Sequence, residues 1–208
     1  MTASVAIVDY GAGNLRSVAN ALYLAGAEPE VAATPETLAG AERIVLPGVG
    51  AAGHAIARLR ASGMADALDA ARARGTPILG ICLGLQMMAQ RLDEFGSHAG
   101  LGWIPGRVGP IEEAVTVPCR VPHTGWSAIE TTPRAEGLIG NGAKDRTVYF
   151  CHSNCLTTDA AIVAATVDLG TPVTAAIRHE NLLAVQFHPE KSQQAGARLL
   201  QAFLDWTP

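Results

Sequence analysis

The chain has 208 residues, 49% hydrophobic and only 16% charged, which is enough apolar material for one sizeable domain with a full core. A net charge of −4, with no basic run and no clustered aromatics, gives nucleic-acid binding no support. The most apolar window is too short for a membrane span, no leader pattern opens the chain, and Cys82, Cys119, Cys151 and Cys155 read as free thiols, so a cytoplasmic protein is expected.

Val5-Ala6-Ile7-Val8 is a continuous apolar run, the pattern of a strand buried on both faces. Over residues 14–25 apolar side chains (Leu15, Val18, Ala19, Leu22) recur at helical spacing, with Asn14 as N-cap and Gly26 as stop. Residues 29–33 and 43–46 read as strands, the second ending at Pro47-Gly48-Val49-Gly50. Helices are expected near 53–59 and 64–74, a strand at 76–79 and a helix at 85–90. Strands alternating with helices indicate parallel βαβ units.

After about Gly100 the pattern changes to shorter strands, at 108–111, 117–121, 126–130, 148–150, 161–167, 173–177 and 182–186, closed by an amphipathic helix at 193–206. There is no linker, repeat or low-complexity segment. The expected fold is α/β: a single domain over residues 1–208, with an open, mostly parallel, doubly wound sheet and a smaller antiparallel extension.

Sites in open α/β sheets form at the carboxyl ends of strands, where this chain places its most informative segment, Gly80-Ile81-Cys82-Leu83-Gly84. A nucleophile between two glycines at a strand-to-helix turn is the nucleophile-elbow pattern, with sulfur in place of oxygen. Gly80 and Gly84 remove side chains from a sharp turn, and the helix that follows aims its N–H groups at the sulfur, which favours a thiolate. The N–H of Leu83 is then placed to hold an oxyanion. A cysteine alone reads equally well as a small core residue. A base and an orienting acid are found at Gln186-Phe187-His188-Pro189-Glu190, at the end of the apolar run 182–185. In an extended chain His188 and Glu190 share a face, so Glu190 can hold one imidazole nitrogen while the other faces the sulfur. Alone, the same residues read as a surface turn.

Two other patterns carry less. Tyr10-Gly11-Ala12-Gly13-Asn14 lacks the third glycine of a dinucleotide fingerprint, and Asp9 before it would repel a phosphate, so no cofactor is expected. Cys151 and Cys155 flank His152, but the spacing matches no usual zinc pairing, so no metal is expected. Pro47-Gly48-Val49-Gly50 reads as a turn or, beside an elbow, as the source of the second oxyanion donor.

Gly80-Ile-Cys82-Leu-Gly84 with Gln86, together with His188-Pro-Glu190, resembles the class I (triad) glutamine amidotransferases. Tyr10-Gly-Ala-Gly-Asn14, Pro47-Gly-Val-Gly50 and His123-Thr-Gly-Trp126 are similar to the branch whose glutaminases serve a cyclase in histidine biosynthesis, and the resemblance covers the whole chain. It implies that Cys82 is the nucleophile, His188 the acid and base, and Glu190 the orienting carboxylate. It further implies an oxyanion hole from Val49 and Leu83, and L-glutamine contacts from Gly48, Gln86, Ser153 and Asn154. Asn14, Trp126 and Lys191 would face the partner, a (β/α)8-barrel cyclase forming a heterodimer with this chain; read without the resemblance, they are an N-cap, a core tryptophan and a solvated lysine. The resemblance also implies an enzyme that is quiet alone and gated by its partner, and the low charge and mean hydropathy of +0.21 agree with a partner-facing surface.

The pattern departs from the family at Asn154-Cys155, where an aromatic residue is common, and at Ala12 and Thr124, where methionine is usual. Three rival readings are weaker. In α/β-hydrolases the acid precedes the histidine, whereas Glu190 follows His188. An inactive regulatory module has no need of an intact Cys, His and Glu set. A class I glutaminase serving a different synthase lacks support from the branch-specific segments.

Overall fold

Apolar runs without polar alternation must be covered on both faces, and they form the centre of the main sheet. In the computed structural model, which describes residues 3–140 and 142–208, the first half runs β1 (Ala3–Val8), α1 (Leu15–Leu24), β2 (Ala27–Ala32), α2 (Pro35–Leu38), β3 (Arg43–Gly48), α3 (Ala52–Ala61), α4 (Met64–Ala73), β4 (Ile78–Cys82) and α5 (Leu83–Met87). It continues through β5 (Ala89–Asp93), β6 (Ser97–Ala99), β7 (Ile104–Pro110), α6 (Ile111–Ala114), β8 (His123–Thr131), α7 (Ala143–Arg146), β9 (Thr147–His152) and β10 (Asn154–Thr157). The chain closes with β11 (Val163–Asp168), β12 (Pro172–His179), β13 (Leu182–Val185) and α8 (Gln193–Asp205).

The main sheet has the order β2-β1-β3-β4-β13-β12-β11-β8-β9. Its first five strands are parallel, and β12, β11, β8 and β9 continue it antiparallel. Helices cover both faces of the parallel part. On one face α3 and α4 supply Ile56, Leu59 and Leu68 to a cluster with Val8, Ile44 and Leu46; on the other, α1 and α8 pack Leu22, Leu200 and Phe203 against Ile7, Val45 and Leu79. Fully burying one such side chain contributes about 1.5–3 kcal/mol. The antiparallel strands hold a third cluster around Phe150, Ala176 and Phe187.

Three sequence expectations need correction. Residues 85–90 do not continue as a helix: α5 ends at Met87 because the Met87 and Met88 carbonyls accept N–H groups from Leu101 (2.7 Å), Trp103 (2.9 Å) and Ile104 (3.1 Å). The chain then enters β5, part of a second sheet of order β10-β7-β5-β6 that the apolar pattern did not announce; its Leu92, Val108 and Leu156 join the α3–α4 core cluster. Residues 117–121 form no strand. Pro118 within this run and Pro122 after it lack the N–H a ladder needs.

Candidate active site

The carboxyl ends of β1, β3 and β4 lie on one edge of the sheet, and β4 delivers Cys82 there. Cys82 has φ of +54°, a left-handed conformation that an L-residue adopts only under constraint. The constraint is close packing. A Cβ on Gly84 would fall 1.8 Å from the Leu46 carbonyl oxygen of β3. One on Gly80 would fall 2.8 Å from Met88 Cε and 3.0 Å from Leu85 N. The flanking glycines are therefore required by neighbouring elements pressed against the turn.

His188 follows β13, and its Nδ1 lies 2.8 Å from Glu190 Oε1. The pairing is the expected one, but the backbone is not extended through both residues. Pro189–Lys191 forms a 3₁₀ turn, closed by Lys191 N–H donating to the His188 carbonyl, which folds the carboxylate back to the ring. Burial opposes a charged imidazole here, but hydrogen bonds from the ring to Cys82 and Glu190 outweigh it and hold the His188 pKa up at about 9. Among the described residues Glu190 Oε2 is buried without a partner, so this carboxylate is committed to His188 alone.

A buried set of amides adjoins the sulfur. Gln186 donates from Nε2 to Cys82 Sγ at 3.6 Å and accepts at Oε1 from Gln86 Nε2 at 3.0 Å. Gln86 Nε2 also donates to the Asn154 carbonyl at 3.3 Å, which accepts a second bond from His152 Nδ1 at 2.9 Å.

Above these residues is a cavity of about 310 Å³. Cys82, Leu83, Gln86, His188, Val49, Gly50, Ser153 and Asn154 are among its lining residues, so Cys82 and His188, both expected oxyanion residues and three of the four expected glutamine contacts meet at one place, with Glu190 behind His188 rather than on the cavity wall. Gly48 does not line it. It is buried where a Cβ would fall 2.6 Å from Tyr10 Oη and 2.8 Å from Leu83 Cβ. Lys191 is on the cavity rim and lies 5.8 Å over the Tyr149 ring, against which the half-exposed Trp126 packs edge-on. Trp126 is thus no core residue. Asn14 occupies the N-cap position of α1 without a side-chain capping bond and is exposed.

Sequence reasoning missed Glu94. It stands in the turn between β5 and β6, lines the cavity, and accepts from Asn154 Nδ2 (2.8 Å) and from Ala52 N–H at the start of α3 (2.5 Å). No motif announces a lone carboxylate in a turn. It also missed the part played by Gln186, whose apolar neighbours read simply as strand.

The profile of the family described as "Glutamine amidotransferase class-I" matches residues 6–206, and the chain belongs to that family. Within it the chain is similar over its length to curated chains named imidazole glycerol phosphate synthase subunit HisH. It is 45% identical to that of Zymomonas mobilis, covering 100% of this chain and 98% of the relative. It is 44% identical to that of Rhodospirillum rubrum (98% and 99%) and 46% identical to that of Nostoc punctiforme (96% and 94%). A solved structure described as a glutamine amidotransferase matches with a TM-score of 0.73 at 21% identity, covering 97% of each chain. PurLQS from Thermotoga maritima matches with a TM-score of 0.74 at 20% identity, covering 99% of each. The last two establish the likeness of fold.

Proposed function

We propose that this chain is the glutaminase subunit of an imidazole glycerol phosphate synthase, acting in the cytoplasm. It hydrolyses L-glutamine to L-glutamate and ammonia. The ammonia passes to a (β/α)8-barrel cyclase that makes imidazole glycerol phosphate and an aminoimidazole carboxamide ribotide in histidine biosynthesis. The observation that carries the chemistry is His188 paired with Glu190 at 2.8 Å while His188 and Cys82 line the same cavity. Full-length similarity to HisH chains supports the choice of synthase.

The Cys82 sulfur attacks the side-chain amide carbon of glutamine. Charge developing on the amide oxygen is taken by the N–H groups of Leu83 and Val49; losing one such donor typically costs about 10²–10³-fold in rate. His188, protonated at neutral pH by its pKa of about 9, gives its proton to the departing ammonia. The neutral imidazole then activates the water that hydrolyses the γ-glutamyl thioester. Gln86 spends both N–H groups on Asn154 and Gln186, so it offers the substrate an acceptor oxygen. The Glu94 carboxylate suits the α-ammonium of glutamine, with Ser153 and Asn154 completing the grip.

The Pro47-Gly48-Val49-Gly50 loop is the gate. Gly48 and Gly50 flank Val49 and give this loop backbone freedom, and rotation of the Gly48–Val49 peptide would supply or withhold the second oxyanion donor. A structure of the active, partner-bound state with the Val49 N–H turned away from the cavity contradicts the gate. Asn14, Trp126 and Lys191 face the cyclase. The direct test of the chemistry is glutamate release by the complex. It should vanish in Cys82→Ala and fall by about 10²–10⁴-fold in His188→Asn. Release that survives Cys82→Ala would sink the reading.

A further inference from the structure

A glutamine side chain beside a nucleophile can present either end, and which end it presents decides whether it helps or hinders. Here the choice is forced from the backbone outward. The Asn154 carbonyl can only accept, so His152 Nδ1 and Gln86 Nε2 must both be its donors. The same Gln86 nitrogen faces Gln186 at 3.0 Å, so the Gln186 atom there must be its oxygen. The remaining end of Gln186, its NH₂, is left against Cys82 Sγ at 3.6 Å. Gln186 has no exposed surface and its backbone N–H is fixed by the Ala175 carbonyl at 2.8 Å, so its amide is enclosed with these two partners and its orientation is set by Gln86.

The far end of the chain is as firmly set. His152 Nε2 lies 2.9 Å from His123 Nδ1, and His123 Nε2 lies 2.9 Å from Ser127 Oγ. With His152 Nδ1–H committed to the carbonyl, neutral His152 accepts from His123, which in turn accepts from the Ser127 hydroxyl. Burial favours this neutral arrangement, pushing the His152 pKa down to about 4.

We propose that Gln186 is a second hydrogen-bond donor to the Cys82 sulfur, and that Gln86 and His152 are positioning residues that lock its amide in the donating orientation. The proposal deepens the glutaminase reading and rests on it for its meaning in catalysis. A bond to an anionic sulfur is charge-assisted, and it holds the nucleophile from a direction independent of His188. Gln86 therefore faces two ways: its oxygen toward substrate, its nitrogen toward the chain that orients Gln186.

The test is alkylation of Cys82 by iodoacetamide in the full chain, mapped by mass spectrometry, alongside glutamine turnover by the complex. Gln186→Met removes the donor at similar volume. It should slow Cys82 alkylation at neutral pH about tenfold or more, and lower kcat similarly while KM for glutamine stays within about twofold. Alkylation at the wild-type rate in a folded Gln186→Met overturns the proposal. If that variant unfolds, Gln86→Met decides. It leaves Gln186 in place but frees its amide to turn, and alkylation should slow; an unchanged rate overturns the proposal. Wild-type protein without glutamine turnover would count against the glutaminase reading alone, because the alkylation result stands apart from it.

Discussion

His188 and His152 line one cavity, yet their surroundings drive their charge in opposite directions. Burial lowers both. At His188 the bonds to Cys82 and Glu190 overcome it and raise the pKa to about 9. At His152 burial prevails, aided by the nearby His123 and His188, and only the Asn154 carbonyl opposes it. The consequence for stability follows by linkage. Between an unfolded pKa of about 6.5 and the folded value of about 9, native His188 binds more protons than the unfolded chain, so its stabilising contribution is lost as pH rises through that window. Between about 6.5 and about 4, native His152 binds fewer, so stability is lost as pH falls through that window. Thermal midpoints should therefore peak near neutral to weakly acidic pH. His188→Asn should flatten the alkaline limb and His152→Asn the acid limb; limbs unchanged in both variants contradict the assignment. The triad was legible in the sequence because its chemistry is local: two glycines around Cys82, and a proline between His188 and Glu190. Gln186 and Glu94 were not, because their roles depend on partners far away along the chain.

At the scale of elements, the elbow is held by what presses on it. Gly84→Ala would drive a Cβ to 1.8 Å from the Leu46 carbonyl, a backbone atom with little room to yield. It should cost upwards of about 1–3 kcal/mol and abolish glutamate release. Gly40→Ala, with nothing within 4 Å of the added Cβ, should stay within about 0.5 kcal/mol. Urea unfolding of the two variants makes the comparison, and equal midpoints contradict the packing argument. Tyr10 plays a subtler part. Its buried hydroxyl donates to the Pro47 carbonyl at 3.2 Å, beneath the loop that carries Val49, and burial raises its pKa, so it remains a donor at any working pH. Tyr10→Phe should lower kcat with KM nearly unchanged, since an oxyanion donor matters only in the transition state. A raised KM with normal kcat would instead place Tyr10 in ground-state binding. The parallel strands and their helices were readable because continuous apolar runs and helical spacing are intrinsic to each segment. The second sheet was not: Ala89–Asp93 becomes strand only because residues 101–104 capture the carbonyls that would have extended α5.

For the whole molecule, the cavity opens beside an edge carrying Lys191, Tyr149 and the 47%-exposed Trp126. A half-exposed tryptophan packed edge-on against a tyrosine whose ring a lysine covers has the composition of an interface anchor. Trp126→Ala should weaken association with the cyclase by about tenfold or more, read as a shift in the cyclase concentration that half-stimulates glutamate release. An unshifted curve contradicts that placement. No helix among the described residues is long and apolar enough to cross a membrane. The partner itself could be read only through resemblance, because a docking surface is set by the shape of another molecule.

Cys82, His188 and Glu190 are proposed to form a glutaminase that the cyclase switches on. Glutamate release at saturating glutamine, measured for the chain alone and then with the cyclase and its ligand, tests it most directly. Release should be slow for the chain alone and strongly stimulated in the complex, and both should be lost in Cys82→Ala. No release under any condition would contradict the catalytic assignment, and full activity from the isolated chain would contradict the gate.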